Sequence, residues 1–230
     1  MSVKYKTKNI FRNHRKAFSL LDMMIVFFSL IIIFVIIKST NSPKIVYYNS
    51  TLADIDVSKN PEQSVCYFCK PIIKIINKIV YRLTPVANYK ICGMVLAKNT
   101  FFMDEIADIA PIDIGLAWAK MTEPEYDKYM NYRSSNRFLD FSPNPVPEFI
   151  SFEYLNSHVS HSHIIPSNDN VFKAVNSFRN KEKICLEGYL VNIKSKDYFT
   201  PTSVSRTDTA GGACEIIYVM RVRIGNNFYE

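Results

Sequence analysis

One uninterrupted apolar run near the N-terminus constrains this chain more than any other feature. Residues 18–37 contain three polar side chains, those of Ser19, Asp22 and Ser29. A helix of about 20 residues crosses the roughly 30 Å hydrocarbon core of a bilayer. A signal-peptide core is shorter, about 7–15 residues, and ends at a small-residue cleavage site, which the following FVIIKSTNSP does not offer. We therefore predict a retained transmembrane helix over residues 18–38.

The charges on either side of this helix predict its orientation. Residues 1–17 carry six Lys or Arg and no acid, whereas the rest of the chain has 22 basic and 21 acidic residues. Positive flanks stay in the cytoplasm, so residues 1–17 form a basic cytoplasmic leader and the rest is exported. The pI of 9.1 therefore indicates topology. A nucleic-acid-binding protein would carry its basic excess on the folded part, and we expect no nucleic-acid partner.

The beginning of the apolar run carries a processing pattern. In AFSLLDMMIV the basic leader ends at a small residue, Ala17, and Asp22 is the fifth residue counted from Phe18. This pattern resembles the N-terminal signature of type IV prepilins and pseudopilins, which usually have Gly before the cut and Glu as the acid. The resemblance implies cleavage between Ala17 and Phe18 and methylation of the new amine. It also implies a pilin-like subunit in which Asp22 neutralises the amine of a neighbouring subunit.

A plain signal-anchor is the other interpretation of this run. A pilin helix continues beyond the membrane, whereas residues 39–43, STNSP, indicate a loop because Pro disfavours a helical conformation of the preceding residue. An acid costs about 2.5–3.5 kcal/mol at the centre of a membrane helix. Near an end, Asp22 can extend to the cytoplasmic face. We expect the plain anchor and keep the pilin-like subunit as an alternative.

After the helix we expect a tether and then one α+β domain. Residues 39–65 are polar and irregular, which is typical of a tether, and residues 66–230 would form the extracytoplasmic domain. The Pro-rich segment SPNPVPEF at 142–149 marks an internal sub-boundary. Helical and strand patterns mix without regular alternation, which favours α+β over a doubly wound sheet.

Hydrophobic periodicity predicts the individual elements of this domain. Residues 70–83, KPIIKIINKIVYRL, place isoleucines on one helical face and cations elsewhere, which predicts an amphipathic helix. The other predicted helices span 111–121, 123–135 and 167–178. The predicted strands span 88–98, 149–155, 183–195 and 214–224. We expect the last two strands to belong to a small closed β-barrel.

The number of cysteines limits the redox chemistry. The chain has five cysteines, so at least one is left over or pairs between chains. Export to an oxidising compartment permits disulfides. In CYFCKP, Cys66 and Cys69 form either a local bridge or two plain thiols, and a redox-active pair at a helix start is the alternative. Cys214 either packs in the domain or bridges to Cys185.

Three histidines in HVSHSH are candidate metal ligands. His158, His161 and His163 lie within six residues, and His161 and His163 would share one face of a strand. Neutral imidazoles are common zinc ligands. The alternative is that His163 is simply buried with a hydrogen-bond partner. The spacing matches no established metal motif, and we expect no resident cofactor.

The segment SVSRTDTAGGACE contains a candidate nucleophile. A cysteine nucleophile needs a histidine base, and His163 stands 51 residues before Cys214. Asp208 or Glu215 would orient that base. The pattern predicts an extracytoplasmic Cys–His hydrolase, and the alternative is a structural loop in which the two glycines form a turn.

The second half of the chain carries a longer resemblance. The segments SHSHIIPSNDNV, EGYLVNI and SVSRTDTAGGACEIIYV resemble a family of uncharacterised, membrane-anchored bacterial proteins. The features shared with that family are HIIP, GYLV and SR-DT-G-GACE, across roughly residues 89–224, and Ala210 departs from the family pattern. The resemblance implies a bacterial envelope protein, without an activity or a cofactor.

Three functions follow from these patterns. We predict first a non-enzymatic, single-pass inner-membrane protein whose periplasmic domain binds protein partners in envelope assembly or secretion. The second is the pilin-like subunit, and the third is the Cys–His hydrolase.

Overall fold

The structure is a computed structural model, and it describes residues 20–143, 148, 151–206 and 213–230. The chain forms two compact units that divide between Asn41 and Ser42. The described part of the first unit is one helix. The second unit, called the β-domain below, contains mostly strands. The expected mixture of one apolar N-terminal helix followed by helices and strands is therefore confirmed.

The N-terminal helix α1 spans Leu20–Asn41, and none of its 22 residues is buried. By length and composition it can cross a membrane, which is compatible with an anchor or a signal sequence. It ends at Asn41, whereas the predicted helix ended at Lys38. Asp22 lies in its first turn. The leader 1–17 and the processing residues Ala17 and Phe18 lie outside the described residues.

The β-domain contains twelve strands and three short α-helices among its described residues. The strands are Tyr47–Tyr48 (β1), Glu62–Val65 (β2), Ile72–Ile76 (β3), Ile79–Thr100 (β4), Ile112–Ala117 (β5), Met130–Ser135 (β6), Phe138–Pro143 (β7), Val159–Pro166 (β8), Lys183–Lys194 (β9), Phe199–Thr200 (β10), Glu215–Ile224 (β11) and Asn227–Tyr229 (β12). The helices are Pro124–Asp127 (α2), Phe152–Ser157 (α3) and Asp169–Asn176 (α4), with a 3-10 turn at Ala119–Thr122.

Five of these strands close into a ring. β11 pairs in parallel with β8, and antiparallel pairs then lead from β8 to β5, β4 and β9. β9 returns to β11 and completes the ring. The two strands that we expected to belong to a closed barrel, β9 and β11, are both part of this ring. β12 and β1 extend the sheet from β11, β10 extends it from β9, and β2 and β3 pair with β4.

The amphipathic helix predicted for residues 70–83 is wrong, because these residues form the hairpin of β3 and β4. Ile76 pairs with Ile79 across a two-residue turn, and Asn77 and Lys78 both have positive φ, 52° and 68°. That geometry is typical of a tight hairpin turn. β4 then buries every second residue from Tyr81 to Gly93, as expected of a strand with one face on a core.

Three further assignments are also wrong. Residues 111–121 form strand β5 and a 3-10 turn, and residues 123–135 form the single-turn α2 followed by β6. The strand predicted for 149–155 is replaced by helix α3, capped by the Ser151 side chain. Short apolar runs have nearly the same pattern in a buried strand and a buried helix. The predictions for 88–98, 167–178, 183–195 and 214–224 agree with β4, α4, β9 and β11.

The segment expected to be a tether is in part packed on the β-domain. Ile55 and Val57 are buried next to the Cys92–Cys185 pair, and β2 pairs with β4. The folded unit therefore begins at Ser42, not at residue 66. The proposed sub-boundary at 142–149 falls mostly outside the described residues.

The largest core cluster lies on one face of β5. Ile112, Ile114 and Leu116 are fully buried in it, together with residues of helix α4. Because side chains alternate along a strand, the opposite face of β5 carries Asp113 and Gly115. Asp113 is fully buried. The polar residues of the candidate site lie on this opposite face.

Candidate functional site

Strand register gathers four reactive side chains on one face of the sheet. β5 and β8 pair so that Asp113 stands opposite His163. β8 and β11 pair in parallel, and the residues just before their first paired position are His161 and Cys214. His161 and His163 are two residues apart on β8 and therefore share a face. The four residues, distant in sequence, become neighbours through pairing alone.

Cys214, His161 and Asp113 follow one another in a chain of short distances. Cys214 Sγ lies 3.3 Å from His161 Nδ1, and His161 Nε2 lies 3.6 Å from Asp113 Oδ2. His161 is 9% exposed and Asp113 is fully buried. Thiol, imidazole and carboxylate follow one another in the order of a nucleophile, its base and the group that orients the base.

Two further groups fix Asp113 in place. Its Oδ1 accepts a hydrogen bond from Arg137 Nη1 at 2.7 Å and lies 2.8 Å from His163 Nδ1. Arg137 also donates to both carboxylate oxygens of Asp104 and to the carbonyl of Ala110. A buried carboxylate is costly unless it is paired and hydrogen-bonded. Arg137 and His163 supply these partners and so hold Asp113 beside His161.

Arg137 reaches Asp113 because it stands at a hairpin turn. Ser135 and Phe138 pair across a two-residue loop, in which Asn136 and Arg137 have φ of 49° and 64°. Positive φ at both positions is typical of a type I′ turn. The guanidinium carbon of Arg137 lies 3.9 Å from the centre of the Phe101 ring. The Arg137 side chain therefore connects the hairpin of β6 and β7 to the site.

A cavity of about 260 Å³ is lined by Cys214 and His161. Its apolar wall is formed by Trp118, Phe138, Leu139, Phe152 and Val159. The absence of a side chain at Gly115 shapes this wall, because a Cβ there would lie 2.8 Å from Leu139 Cδ1. The cavity can therefore accept an apolar group next to the thiol.

Arg206 contributes a cation to the same cavity. Its Nη2 donates to the carbonyl of Pro61 at 3.0 Å. Its guanidinium carbon lies 5.8 Å from the Trp118 ring and 6.0 Å from the Tyr89 ring. These contacts hold the positive charge at the wall, where it favours an anionic group in the cavity.

Burial sets the protonation of His161. Desolvation lowers the pKa of His161 to about 4; the negative charge of Asp113 opposes this shift, and the smaller electrostatic effects of His163 and Arg137 add to it. At neutral pH the imidazole is therefore neutral. If Nε2 carries its proton toward Asp113, Nδ1 has a lone pair directed at the Cys214 thiol. Burial, with the charge of Glu215 next in size, raises the pKa of the neighbouring Tyr89 hydroxyl.

The structure assigns the predicted site residues differently from the sequence. Cys214 Sγ lies 3.3 Å from a ring nitrogen of His161, so the position of a base passes from His163 to His161. Glu215 is buried and lines the cavity. The role of orienting the base, predicted for Asp208 or Glu215, fits Asp113, because Asp113 is the carboxylate 3.6 Å from His161. Asp208 lies outside the described residues.

The predicted histidine cluster divides into two parts. His158 Nδ1 lies 2.8 Å from the carbonyl of Tyr154, and the two rings stack at 3.9 Å. His161 and His163 instead join Cys214, and the ligand atoms of these three residues lie within 4.8 Å of one another. The cysteine therefore takes the place that His158 was expected to have in a metal site.

The cysteine pairing differs from one of our expectations. Cys66 pairs with Cys69 as a local bridge, and Cys92 pairs with Cys185 across neighbouring strands. The predicted bridge from Cys185 to Cys214 is thus corrected: β4 and β9 place Cys92 opposite Cys185. Cys214 remains a thiol.

Sequence reasoning missed Asp113 and Arg137. Asp113 is the one charged residue in the apolar stretch PIDIGLAWA, and a charge on a buried element normally has a partner. That signal was present, but residues 111–121 were predicted to form a helix, which does not place Asp113 next to the histidines of β8. Arg137 gave no comparable signal, because its role depends on the turn that carries it.

Comparison with known proteins gives no matching family model, no similar curated protein and no similar solved structure.

Proposed function

We propose that the β-domain is a thiol-dependent acyl-transfer enzyme that hydrolyses an ester or amide bond through Cys214. One observation carries this proposal: Cys214 Sγ lies 3.3 Å from a ring nitrogen of His161, in a cavity, with Asp113 behind the same ring. A nucleophile, a base and a group that orients the base are the parts that covalent acyl transfer requires.

The chemistry divides into two steps. His161 Nδ1 takes the proton of the Cys214 thiol while the sulfur attacks the substrate carbonyl carbon. The tetrahedral intermediate expels the amine or alcohol, which leaves with the proton from His161, and a thioester on Cys214 remains. Water then attacks the thioester, His161 accepts and returns its proton, and the carboxylic acid leaves as the thiol is restored.

Asp113 acts on this reaction through His161. Its carboxylate holds the ring in the orientation that presents Nδ1 to the sulfur, and it stabilises the imidazolium that forms during each step. Arg137 and His163 hold the carboxylate in turn. The apolar wall of the cavity favours a substrate with an aliphatic or aromatic group beside the reacting carbonyl.

This proposal develops the third prediction from the sequence. A non-enzymatic partner-binding domain in the envelope remains the alternative, and it gives no reason for a thiol, an imidazole and a buried carboxylate to lie next to one another. Membership of the uncharacterised bacterial family and the pilin-like subunit remain predictions. The pilin interpretation is tested at the mature N-terminus, where methylated Phe18 would support it and an intact Met1 or Ser2 would exclude it.

We also propose that α1 anchors the chain in a bacterial inner membrane, with the β-domain in the periplasm. The apolar helix, the basic leader and the two disulfides support this location. Alkaline phosphatase fused after Glu230 should be active, since it folds only where disulfides form. An inactive alkaline phosphatase fusion, together with an active β-galactosidase fusion at the same position, would reject the exported location.

Hydrolysis of p-nitrophenyl hexanoate by the full chain in detergent, with a metal chelator present, tests the reaction. Cys214→Ser and His161→Asn should each lower turnover by about 100-fold or more, because a nucleophile and a general base are lost. Asp113→Asn should lower turnover by about tenfold or more, since the ring loses its orienting charge. Mass spectrometry should find the hexanoyl group on the peptide that contains Cys214.

His158→Asn is the matched control, because His158 ends α3 just before β8 and its ring contacts Tyr154. It should keep turnover within about twofold of the parent. Circular dichroism of each variant separates loss of chemistry from loss of fold. Turnover that persists in folded Cys214→Ser protein would refute the proposed function.

A further inference from the structure

The proposed reaction does not use His163 directly. It needs one imidazole at the thiol, yet a second one lies buried beside the same carboxylate, with its Nδ1 2.8 Å from Asp113 Oδ1. The rings of His161 and His163 meet edge to face, with their centres 5.3 Å apart. The second histidine has a role of its own if both imidazole rings and the thiol bind the same ligand.

We propose that His161, His163 and Cys214 bind one Zn²⁺ ion, and that the bound ion reversibly blocks the thiol. The ligand atoms of the three residues lie within 4.8 Å of one another. Around a tetrahedral zinc ion, with bonds of about 2.0–2.3 Å, ligand atoms stand roughly 3.5 Å apart. The most distant pair therefore has to approach by roughly 1 Å, which side-chain rotation can supply.

The carboxylate of Asp113 prepares both imidazoles for the metal. Asp113 Oδ1 faces Nδ1 of His163 and Oδ2 faces Nε2 of His161. Each ring then has its other nitrogen for a metal: Nε2 of His163, and Nδ1 of His161, which already faces the sulfur of Cys214. A carboxylate behind a ligating histidine is the common outer partner in zinc sites, since it fixes the tautomer and makes the ring a stronger donor.

The kind and number of donors point to zinc. Two imidazoles and a thiolate suit zinc better than calcium or magnesium, which prefer oxygen. Three protein ligands leave a fourth position, and the cavity beside Cys214 can supply water to it. Zinc binding converts the thiol to a thiolate and releases its proton.

The blocking effect rests on the proposed function, whereas zinc binding itself does not. Sulfur bonded to zinc has its lone pair engaged and cannot attack a carbonyl, and His161 Nδ1 can no longer accept a proton. The site would therefore have a metal-bound resting state and a metal-free reactive state.

The test uses the full chain in detergent, first treated with chelator and then titrated with ZnSO₄. We expect one zinc ion per chain after buffer exchange. We also expect alkylation of Cys214 by iodoacetamide, read by mass spectrometry, to slow by about tenfold or more and to recover after chelation. Co²⁺ in place of Zn²⁺ should give a thiolate-to-cobalt charge-transfer band.

His163→Asn and Cys214→Ser each remove one ligand and should weaken zinc binding by about tenfold or more. His158→Asn, outside the three ligands, should bind zinc as the parent does. Zinc retained equally by folded His163→Asn and Cys214→Ser proteins would overturn the inference, as would a parent in which zinc leaves Cys214 alkylation unchanged.

The two proposals fail separately. If zinc binds and protects Cys214 while Cys214→Ser keeps full hydrolysis, the site is a metal site and the acyl-transfer proposal is lost. If Cys214→Ser abolishes hydrolysis and zinc neither binds nor protects, the catalytic proposal stands and the zinc inference is lost.

Discussion

At the scale of single residues, the polar contacts of the candidate site meet at one buried acid. Asp113 contacts Arg137, His163 and His161, and it is fully buried. Arg137 and His163 hold this carboxylate beside the imidazole that contacts the thiol. The sequence contained the nucleophile candidate Cys214, but the pairing with His161 required the strand register, because the two residues are 53 positions apart.

The pKa of His161 predicts how stability depends on pH in chelator-treated protein. The unfolded histidine titrates near 6.5, whereas burial lowers the pKa of His161 to about 4 in the folded state. Between these values the unfolded chain binds the extra proton, so stability falls as pH drops from 6.5 toward 4. The loss should reach about 3 kcal/mol at most.

Urea unfolding at several pH values measures this loss, and His161→Asn is the comparison. The variant should lose less stability than the parent over the same pH interval. Equal slopes in the two proteins would show that His161 does not titrate as its burial indicates.

Arg137 predicts a second residue-scale effect. Removal of its guanidinium in Arg137→Ala leaves the buried Asp113 without its charged partner, and we expect a loss of about 3 kcal/mol in the free energy of unfolding. Arg133→Ala, on the exposed side of the same hairpin, should change it by less than about 0.5 kcal/mol. Equal effects of the two variants in urea unfolding would contradict the role of Arg137.

At the scale of elements, the turns determine whether a segment with an ambiguous hydrophobic pattern forms a helix or a hairpin. Residues 72–83 contain an isoleucine pattern that fits a helix, but Asn77 and Lys78 adopt positive φ, and the pattern becomes two alternating strands. The hairpin that carries Arg137 uses the same kind of turn. The helix α4 was predictable because its cap is local: the Asn168 side chain accepts from the backbone amides of Asn170 and Val171.

The turn at Asn77 and Lys78 predicts a stabilising substitution. Lys78 has φ of 68°, which glycine adopts without strain, and Asn-Gly is the preferred pair for such turns. Lys78→Gly should therefore raise the free energy of unfolding by about 0.5–1 kcal/mol. Lys78→Ala keeps the strain and should give no gain in the same urea measurement. A gain shared by both variants would point to the lost charge of Lys78, not to the turn.

At the scale of the whole molecule, the ring of five strands and one disulfide hold distant segments together. Cys92 and Cys185 are 93 residues apart in sequence and directly opposite each other on β4 and β9. The ring also brings β8 and β11 side by side in parallel, and the site depends on that pair. Neither closure nor the parallel pairing follows from local sequence patterns.

The Cys92–Cys185 disulfide should contribute most to global stability. Its long loop limits the unfolded chain, so Cys92→Ala with Cys185→Ala should cost about 3–4 kcal/mol. The pair Cys66→Ala and Cys69→Ala opens a loop with a sequence separation of 3 and should cost about 2 kcal/mol or less. Thermal and urea unfolding compare the two. A larger loss from the short loop would contradict this ranking.

The sequence by itself determined the features that depend on neighbours along the chain. These are the apolar helix of α1, the cap of α4 and the strand patterns of β9 and β11, because each is encoded in consecutive residues. Only the tertiary structure decided the partner of Cys185, the choice of His161 over His163 at Cys214, and the part played by Asp113 and Arg137. Those contacts join residues 24 to 93 positions apart, and side chains so distant become neighbours only through the register in which the strands pair.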